Sequence, residues 1–313
     1  MKNKIIVTGG AGFIGSHIVD RLLSLGNEIT VIDNLSSGRM EFLKAHSRDP
    51  NFKLVKLDLL DTEKLNKAIA GADMIYHLAA NPDVRLGAAD TKVHLEQNII
   101  ATYNVLEAMR INKLKNIAFT STSTVYGEAA LIPTPENYGP LIPISLYGAS
   151  KLACEALITS YCHTFEMNSW IFRFANIVGP RSTHGIIVDF INKLRNDPHA
   201  LEILGDGQQR KSYLHVSDCV EAMLFGVENS HEMANIFNIG SDDTINSTQI
   251  GEIVVMEMGL KNVRFSYTGG KRGWKGDVPR MLLSIEKIKS LGWKPLHDSH
   301  SSVVEATRSA SGK

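Results

Sequence analysis

The sequence contains few cysteines, and none of them stand in a paired spacing. Three of the 313 residues are cysteine, and no two of them form a CxxC motif. The odd count and the missing spacing argue against a disulfide framework and against a zinc site, so we expect no metal. We interpret Cys154, Cys162 and Cys219 as small buried apolar residues.

The sequence also lacks an excess of either charge and any long apolar run. Lysine plus arginine and aspartate plus glutamate number 33 each, which leaves no general field to attract nucleic acid or an anionic membrane. The apolar runs, such as NKIIVTG, are far shorter than the roughly 20 residues that span a bilayer. The start MKNKIIVTGG has no apolar stretch ending in a cleavage site, so we expect a cytoplasmic protein without a nucleic-acid or membrane partner.

Short apolar runs alternate with helical patterns in the first half of the chain. KIIVT, EITVID, KLVKLDL, MIYHLA and NIAFTST are strand-like, and amphipathic segments separate several of them. This alternation predicts a Rossmann-type, doubly wound parallel sheet in an α/β fold. The looser second half predicts a smaller α/β domain at the C-terminal end. We place the boundary between residues 1–179, with a return near 214–242, and residues 180–313.

Several element ends are predicted by local signals. Gly26 and Gly71 close the first two clear helices, and Asp61 or Thr62 caps the start of the second. Long helical stretches are expected near residues 88–111 and 146–165. The polar tail after Pro295 is expected to hold at most one short helix with a frayed end.

The segment VTGGAGFIG connects the first strand to the first helix. Gly9 permits a tight turn, Gly12 lets a pyrophosphate approach the N–H groups of the helix, and Gly15 allows close packing of helix and strand. The next strand ends in Asp33, which is placed to bind the ribose hydroxyls of an adenosine. Strand, glycines, helix and acid occur in the order that predicts a dinucleotide site.

The charge of Asp33 favours NAD over NADP, because it repels a 2′-phosphate. Arg39 argues against this preference for NAD, since an arginine at that position is able to reach a 2′-phosphate. Asp58 follows the third strand, where adenine is expected to rest, and capping of a helix explains it equally well.

Tyr147 and Lys151 are four residues apart in SLYGASK, so they share one face of a helix. A tyrosine that acts as a base near neutrality needs its pKa lowered by about three units from 10. A cation about 4 Å away supplies about that much. Alone, the pair also fits an ordinary helix; beside the glycine turn it indicates a catalytic base and its helper.

The chain resembles the extended short-chain dehydrogenase/reductases, and within them the UDP-glucose 4-epimerases. The resemblance covers nearly the whole chain and rests on these segments: TGGAGFIG, DNLSSG, DLLD, HLAA, Asn98, STVYG, YGASK, RFANIVGPR, GDGQQ with YLHVSD, NIGS, GDVP and LGWKP. It implies bound NAD, a nucleotide-sugar substrate, an NAD-binding first domain and a nucleotide-sugar-binding second domain.

The resemblance assigns roles residue by residue. It implies that Tyr147 is the base, that Lys151 assists it and holds the nicotinamide ribose, and that Thr122 bonds to the 4-oxygen of the sugar. Asn98 orders the active-site backbone, whereas we interpret His77 as a packing residue. The implied cofactor-binding residues are Gly9, Gly12, Phe13, Ile14, Gly15, Asp33, Asn34, Ser37, Gly38, Asp58, Leu59, Leu78, Ala79, Ala80, Asn98 and Lys151.

The two residues after Thr122 are informative because relatives differ there. Nucleotide-sugar 4,6-dehydratases of the family carry Asp-Glu at these positions, and glucuronate decarboxylases keep the glutamate. This chain has Ser123 and Thr124, which are neither acids nor bases near neutrality. The resemblance therefore implies chemistry that needs only hydride transfer and one proton, as in epimerisation through a 4-keto sugar.

The implied substrate-binding residues of the second domain depart from the family pattern. They are Thr122, Asn176, Lys211, Trp274, Asp277 and Met281. Lys211 stands where relatives have arginine, which keeps the charge but not the bidentate fork. Trp274 replaces a second arginine, and the sequence leaves open whether Arg272 substitutes for it or Trp274 stacks on the base. Flexible Met281, at the position that gates the sugar's 2-substituent, suggests room for N-acetyl groups.

We therefore expect an isomerase of galactose metabolism that epimerises UDP-glucose and UDP-galactose. An epimerase or reductase of another nucleotide sugar, such as UDP-glucuronate, is the alternative. A redox-sensing binding protein is a third possibility, and we would expect it to have lost Tyr147 or Lys151. The two long helical stretches resemble those of a family dimer interface, so we expect a homodimer.

Overall fold

The computed structural model describes residues 2–312, which form two compact units. Unit 1 comprises Met1–Val125, Ser145–Arg173 and Met223–Phe237, and unit 2 comprises Tyr126–Ile144, Phe174–Ala222 and Asn238–Lys313. Within residues 2–312, no helix combines the length and the apolar character that crossing a bilayer requires.

The strands are β1 (Lys4–Thr8), β2 (Glu28–Asp33), β3 (Phe52–Lys56), β4 (Met74–His77), β5 (Asn116–Thr122), β6 (Asn168–Phe174), β7 (Asn176–Val178), β8 (Ala200–Ile203), β9 (Arg210–Lys211), β10 (Tyr213–His215), β11 (Ala234–Ile239), β12 (Ile245–Asn246), β13 (Arg264–Tyr267) and β14 (Arg280–Met281). The α-helices are α1 (Phe13–Ser24), α2 (Thr62–Ala68), α3 (Lys92–His94), α4 (Ala101–Ile111), α5 (Leu146–Phe165), α6 (Ile186–Asn196), α7 (Val216–Asn229), α8 (Ser247–Glu257), α9 (Glu286–Ser290) and α10 (Ser299–Ser311). Short 3-10 helices cover Met40–His46, Leu86–Ala88 and Ser123–Tyr126, and a π-helix covers Leu95–Ile100.

A seven-stranded sheet organises unit 1, in the order β11-β6-β5-β4-β1-β2-β3. β1 pairs in parallel with both β2 and β4, and Thr8 at its end is opposite Ile32 and His77. The predicted Rossmann-type α/β fold is confirmed. Chain order reverses direction between β1 and β4, and in sheets of this kind ligands bind beyond the carboxyl ends of the strands at that point.

The core of unit 1 is built from β-branched strand residues and from one face of each helix. Val7, Val31 and Ile75 are fully buried on the central strands. Helix α1 buries Ile18, Val19 and Leu22 among its inward residues, a spacing that keeps the side chains on one face. Burial of apolar side chains from several elements fixes the strand ends that carry the candidate site residues.

Most predicted helix ends in unit 1 agree with the structure, whereas the long stretch before β5 is more irregular. Gly26 and Gly71 have φ angles of +84° and +74° just after α1 and α2, and the Asp61 side chain caps α2 by accepting a bond from Lys64 N–H. Residues 88–111 do not form one α-helix, because a π-helical segment interrupts it. Such segments often occur at functional sites, and this one contains Asn98.

Unit 2 has its own core and several short sheets. β10 pairs with β7, β9 lies between β12 and β14, and β13 pairs with β8. The prediction of a frayed tail with at most one short helix was wrong, since α10 has 13 residues. Val303 and Ala306 are buried in the core of this unit, and the Asp298 side chain caps the helix by accepting a bond from Ser301 N–H. Small residues let the polar tail pack closely.

Candidate active site and cofactor site

Two glycines hold the turn between β1 and α1 against the neighbouring backbone. Gly9 has a φ of +70°, and a Cβ on it would lie 2.6 Å from the backbone nitrogen of Ala79. A Cβ on Gly15 would lie 2.1 Å from the carbonyl oxygen of Gly9. Neither position leaves space for a side chain, which is the physical reason for two of the three predicted glycines.

The start of α1 is suited to an anion. Its N-cap is Gly12, which offers no side-chain cap, and no acidic residue lies in the first turn. The N–H groups of a first turn have no acceptor within their own helix, and the dipole makes this end positive. A Cβ on Gly12 would lie 3.1 Å from the Gly9 carbonyl oxygen. The N–H groups of Phe13 and Ile14 therefore fit the pyrophosphate of a dinucleotide.

Two carboxylates, Asp33 and Asp58, accept hydrogen bonds near the ends of β2 and β3. Asp33 is buried and accepts hydrogen bonds from Ala11 N–H at 3.0 Å and from Leu35 N–H at 2.8 Å. Asn34 donates to the carboxylate of Asp58 at 2.9 Å. Asp58 thus accepts a hydrogen bond from the loop after β2. It does not cap α2, which was the alternative interpretation from the sequence, because the cap is Asp61.

The other residues of this loop also take defined positions. A Cβ on Gly38 would lie 2.8 Å from Asp33 Oδ1, so the loop folds closely over the carboxylate. Ser37 is exposed, and the guanidinium of Arg39 lies 6.0 Å from the ring centroid of Phe42. Leu59 is buried behind the loop, and its carbonyl accepts a bond from Asn104.

The end of β4 is tied to the end of β1. The N–H of Leu78 donates to the Thr8 carbonyl at 3.0 Å, and that of Ala79 donates to the Thr8 hydroxyl at 3.3 Å. Ala80 follows in the same segment, partly exposed. His77 is fully buried, and its ring nitrogens lie 2.7 and 3.0 Å from the hydroxyls of Thr8 and Thr102.

Burial, and secondarily the charge of Lys151, lower the pKa of His77 to about 3. A ring that stays neutral and has both nitrogens engaged is a structural group, as the sequence interpretation holds.

Asn98 connects the π-helical segment to the start of α5. Its side-chain oxygen accepts a bond from Asn81 N–H at 2.8 Å, and its amide donates to the Ser150 hydroxyl at 2.9 Å. Ser150 lies between Tyr147 and Lys151 in sequence and also donates to the Tyr147 carbonyl at 2.8 Å. These bonds hold the backbone that carries the Tyr–Lys pair.

Lys151 is buried at the end of β5. Its ammonium donates to the Thr120 carbonyl at 2.8 Å and lies 4.6 Å from the ring centroid of Phe119. Burial lowers the pKa of Lys151 to about 8. Burial also raises the pKa of Tyr147. The buried surroundings of Tyr147 therefore favour its protonated phenol.

The hydroxyls at the end of β5 form a local pair. Thr124 Oγ1 donates to Thr122 Oγ1 at 3.1 Å, and Thr124 N–H donates to the same oxygen at 3.2 Å. The sequence singled out Thr124 only as a missing acid. Here it is also the neighbour that orients the candidate catalytic hydroxyl.

His94 contacts the candidate catalytic tyrosine and was not among the residues predicted from the sequence. Its ring meets that of Tyr147 edge to face, with centroids 5.7 Å apart, and it is 1% exposed. Its Nδ1 lies 3.3 Å from the Asn98 amide, and burial lowers its pKa. The available signal was its position four residues before Asn98 in a helical pattern.

In unit 2, four of the predicted substrate-binding residues come together. Lys211 donates to Asp277 at 2.5 Å and lies 5.0 Å from the ring centroid of Trp274. Met281 is paired with Lys211 across β9 and β14. Asn176 is connected to them through Ser212, whose carbonyl accepts from the Asn176 amide at 3.1 Å.

Arg272 has a different set of partners. It donates to both carboxylate oxygens of Glu128, at 2.8 and 2.9 Å, and to the Asp277 carbonyl at 2.5 Å. Nη2 is thus directed to a carboxylate and Nη1 to a backbone carbonyl. Trp274, in contrast, lies against the candidate lysine.

The fold and these positions define a dinucleotide-binding enzyme of the Rossmann type with a Tyr–Lys pair on its fifth helix. The chain belongs to the NAD dependent epimerase/dehydratase family, whose pattern matches residues 5–240. This family is part of the extended short-chain dehydrogenase/reductases, as the resemblance predicts.

Individual relatives agree with this assignment. The chain is 33% identical over 299 residues to a putative UDP-glucose 4-epimerase of Methanocaldococcus jannaschii, covering 93% of each chain. It is 32% identical to UDP-glucuronic acid decarboxylase 4 of Arabidopsis thaliana, over 93% of this chain but 65% of the plant protein.

Solved structures give the same picture. A crystal structure of a UDP-galactose 4-epimerase matches with 42% identity and a TM-score of 0.87, over 99% of both chains. A UDP-N-acetylglucosamine 4-epimerase from Methanobrevibacter ruminantium M1, in complex with UDP-N-acetylmuramic acid, matches with 30% identity and a TM-score of 0.88, over 100% of this chain and 98% of that one. The predicted class, an isomerase resembling UDP-glucose 4-epimerase, and the predicted cofactor, NAD, are confirmed.

Proposed function

We propose that the protein interconverts UDP-glucose and UDP-galactose by epimerisation at carbon 4. The observation that carries the proposal is the end of β5, where Thr122 and Thr124 pair through their hydroxyls and Ser123 stands between them. The family resemblance implies that dehydration and decarboxylation use a carboxyl group at these positions, and the chain has none there. Family membership and the similarity to 4-epimerases support the same chemistry.

We propose that unit 1 holds the cofactor. The turn at Gly9, Gly12 and Gly15 takes the pyrophosphate, and Asp33 takes the adenosine ribose. When bound, NAD supplies hydride acceptance and return together with a positive charge at its oxidised ring.

The chain's own residues move the proton. Thr122 donates or accepts a hydrogen bond at the 4-oxygen of the sugar, and Tyr147 removes the proton of the 4-hydroxyl as the hydrogen on carbon 4 leaves as hydride. Lys151 supplies a positive charge beside Tyr147 and orients the nicotinamide ribose. The resulting 4-keto sugar rotates within the site, so that its opposite face is presented. The hydride then returns to carbon 4 on that face, and Tyr147 returns the proton to the 4-oxygen.

We propose that unit 2 holds the nucleotide diphosphate. Lys211 offers one positive charge, and Trp274 beside it offers a flat ring for the base. Met281, half-buried beside Lys211, is flexible and not aromatic, so we also propose that the N-acetylated sugars are accepted.

The test uses UDP-glucose deuterated at carbon 4, with no added NAD. We expect UDP-galactose that keeps the deuterium, because the same hydride leaves and returns. Mass spectrometry and chromatography of the products measure both quantities. UDP-N-acetylglucosamine and UDP-glucuronate are offered in parallel, which separates the proposed substrates from the glucuronate alternative.

Each outcome identifies a function. Turnover of UDP-glucuronate alone would replace the proposed substrate, and a product that needs added NADH would make the enzyme a reductase. Release of carbon dioxide or water would contradict the argument from Ser123 and Thr124. Binding of NAD without conversion of any sugar would favour a binding protein.

We further propose a cytoplasmic homodimer. Apolar side chains are exposed along the helical stretch before β5: Leu95 is 48% exposed, Ile100 40% and Tyr103 43%. These residues suit an interface with the same stretch of a second copy. Replacing Ile100 with Glu is expected to shift gel-filtration elution from dimer to monomer; a wild-type monomer would contradict the proposal.

The three cysteines are free and buried, which supports the proposal of a reducing compartment such as the cytoplasm.

A further inference from the structure

Two histidines and a glutamate meet in unit 2, and none of them is among the predicted cofactor-binding, substrate-binding or catalytic residues. His215 ends β10, His297 lies in the loop before α10, and Glu305 is on α10. Each offers one ligand atom, and these atoms all lie within 4.8 Å of one another. Nε2 of His297 is 3.4 Å from one Glu305 oxygen, and Nε2 of His215 is 3.9 Å from the other.

The orientation of the His297 ring is set by a contact at its Nδ1. Its Nδ1 lies 3.0 Å from the carboxylate of Asp218, which is buried and also accepts the N–H groups of Leu296 and His297 at 2.9 Å each. Because a carboxylate accepts, His297 donates from Nδ1 to Asp218, which leaves Nε2 directed to Glu305. A divalent cation between Nε2 and the Glu305 carboxylate would be attracted to both groups.

His215 has a comparable arrangement. Its Nδ1 is 2.7 Å from the Ser217 hydroxyl and also accepts the Ser217 N–H at 3.4 Å, and its ring centroid is 5.0 Å from that of His297. A Cβ on Gly179 would lie 2.7 Å from Val216 Cγ1 and 3.1 Å from His215 Nε2, so the backbone at Gly179 packs closely against this histidine. Metal-binding histidines usually engage their other nitrogen with a carboxylate, a carbonyl or water, and such partners set the direction of the ligand atom.

We propose that His215, His297 and Glu305 bind one transition-metal ion, with Zn²⁺ as the ion of choice. Two imidazoles and a carboxylate suit Zn²⁺ better than Mg²⁺ or Ca²⁺, which prefer oxygen ligands alone. Bonds of about 2.0 Å in a tetrahedral site place ligand atoms roughly 3.3 Å apart, close to the His297–Glu305 separation. Glu305, whose side chain is 48% exposed, leaves access for the ion.

The metal would join β10, the loop and α10, and so anchor the C-terminal helix. This departs from the expectation of no metal, which rested on the cysteine pattern. The proposal does not depend on the proposed function, because none of its residues is among those that bind the cofactor or the sugar nucleotide.

The experiment is a titration of ZnCl₂ into the full-length, chelator-treated protein, followed by calorimetry and by thermal unfolding. We expect one ion per chain and a higher Tm with zinc. His297→Gln and Glu305→Gln are each expected to weaken binding at least tenfold and to remove most of the Tm increase. His300→Gln is the matched control, because His300 is exposed on the same helix and should leave binding unchanged.

Other results would overturn the site. Absence of zinc binding by the wild-type protein would do so, as would equal affinity in His297→Gln and Glu305→Gln. Equal loss in His300→Gln would assign the ion to surface histidines. Circular dichroism establishes that each variant is folded, and the visible spectrum of Co²⁺ in place of zinc reports whether nitrogen ligands are present and lost in His297→Gln.

Discussion

The two candidate lysines, one in each unit, are stabilised in different ways. Lys151 in unit 1 is 3% exposed and contacts a carbonyl and an aromatic ring. Lys211 in unit 2 is paired with the buried carboxylate of Asp277 at 2.5 Å. Lys151 is buried and forms no ion pair within the part of the chain that the structure describes, whereas the charge of Lys211 is balanced by Asp277.

The difference matches the two proposed tasks. A catalytic lysine that must favour a tyrosinate needs a positive charge that no neighbouring carboxylate cancels. A lysine that holds a diphosphate through substrate turnover needs a fixed position, which the Asp277 pair and the Trp274 ring provide. Substitutions at the two lysines and at the hydroxyls near Lys151 test this contrast.

The largest expected effect is at the tyrosine that Lys151 serves. Tyr147→Phe removes the proton acceptor, and we expect kcat to fall by about 10²–10⁴-fold. Epimerisation measured by coupled assay or chromatography gives the value. The matched control is Tyr161→Phe on the same helix, whose hydroxyl donates to Glu107 and which should retain activity. Full activity in Tyr147→Phe would refute the mechanism.

Lys151→Met should make the protein more stable while it inactivates the enzyme. The pKa of Lys151 is lowered from 10.5 to about 8, so at pH 7 its charge disfavours folding by about 3 kcal/mol. Between pH 8 and 10.5 the unfolded chain binds more protons than the folded one, so this penalty fades as the pH rises. Urea unfolding of both proteins at pH 7 and pH 10 measures the gain, which should be smaller at pH 10.

The equivalent lysine-to-methionine substitution in unit 2 should lower the free energy of unfolding, where Lys151→Met raises it. Lys211→Met leaves Asp277 buried without its cation, and we expect a loss of about 2 kcal/mol in the free energy of unfolding. Substrate KM should rise with little change in kcat. The double variant with Asp277→Asn removes both charges and should recover part of the stability. Equal stability changes at Lys151 and Lys211 would remove the contrast between the units.

The sequence predicted unit 1 better than unit 2 for a physical reason. The turn at Gly9 and Gly15 and the helical spacing of Tyr147 and Lys151 are local, because each depends on residues a few positions apart. The pairing of Lys211 with Asp277 joins residues 66 positions apart, and that of Arg272 with Glu128 joins residues 144 apart. No local pattern encodes such partners.

Two other features also depended on tertiary contacts. His94 became visible as a site residue only once the helical stretch before β5 was placed beside α5, with its ring against Tyr147. Helix α10 was underestimated because its serines, alanines and threonine carry little apolar signal, although Val303 and Ala306 are buried. The burial of small residues depends on the surface against which they pack, so the local sequence does not predict it.

The smallest expected effect concerns the hydroxyl pair near Lys151. Thr124→Val keeps the shape of the side chain but removes the donor to Thr122 Oγ1, so the catalytic hydroxyl is less well oriented. We expect kcat to fall a few-fold, about 0.5–1.5 kcal/mol of transition-state stabilisation. Thr124→Ser retains the hydroxyl and should restore most of the activity, which separates orientation from packing. If Thr124→Ser were as slow as Thr124→Val, the lost methyl contacts and not the hydrogen bond would explain the effect, and Thr122 would be oriented by the backbone N–H of residue 124 alone.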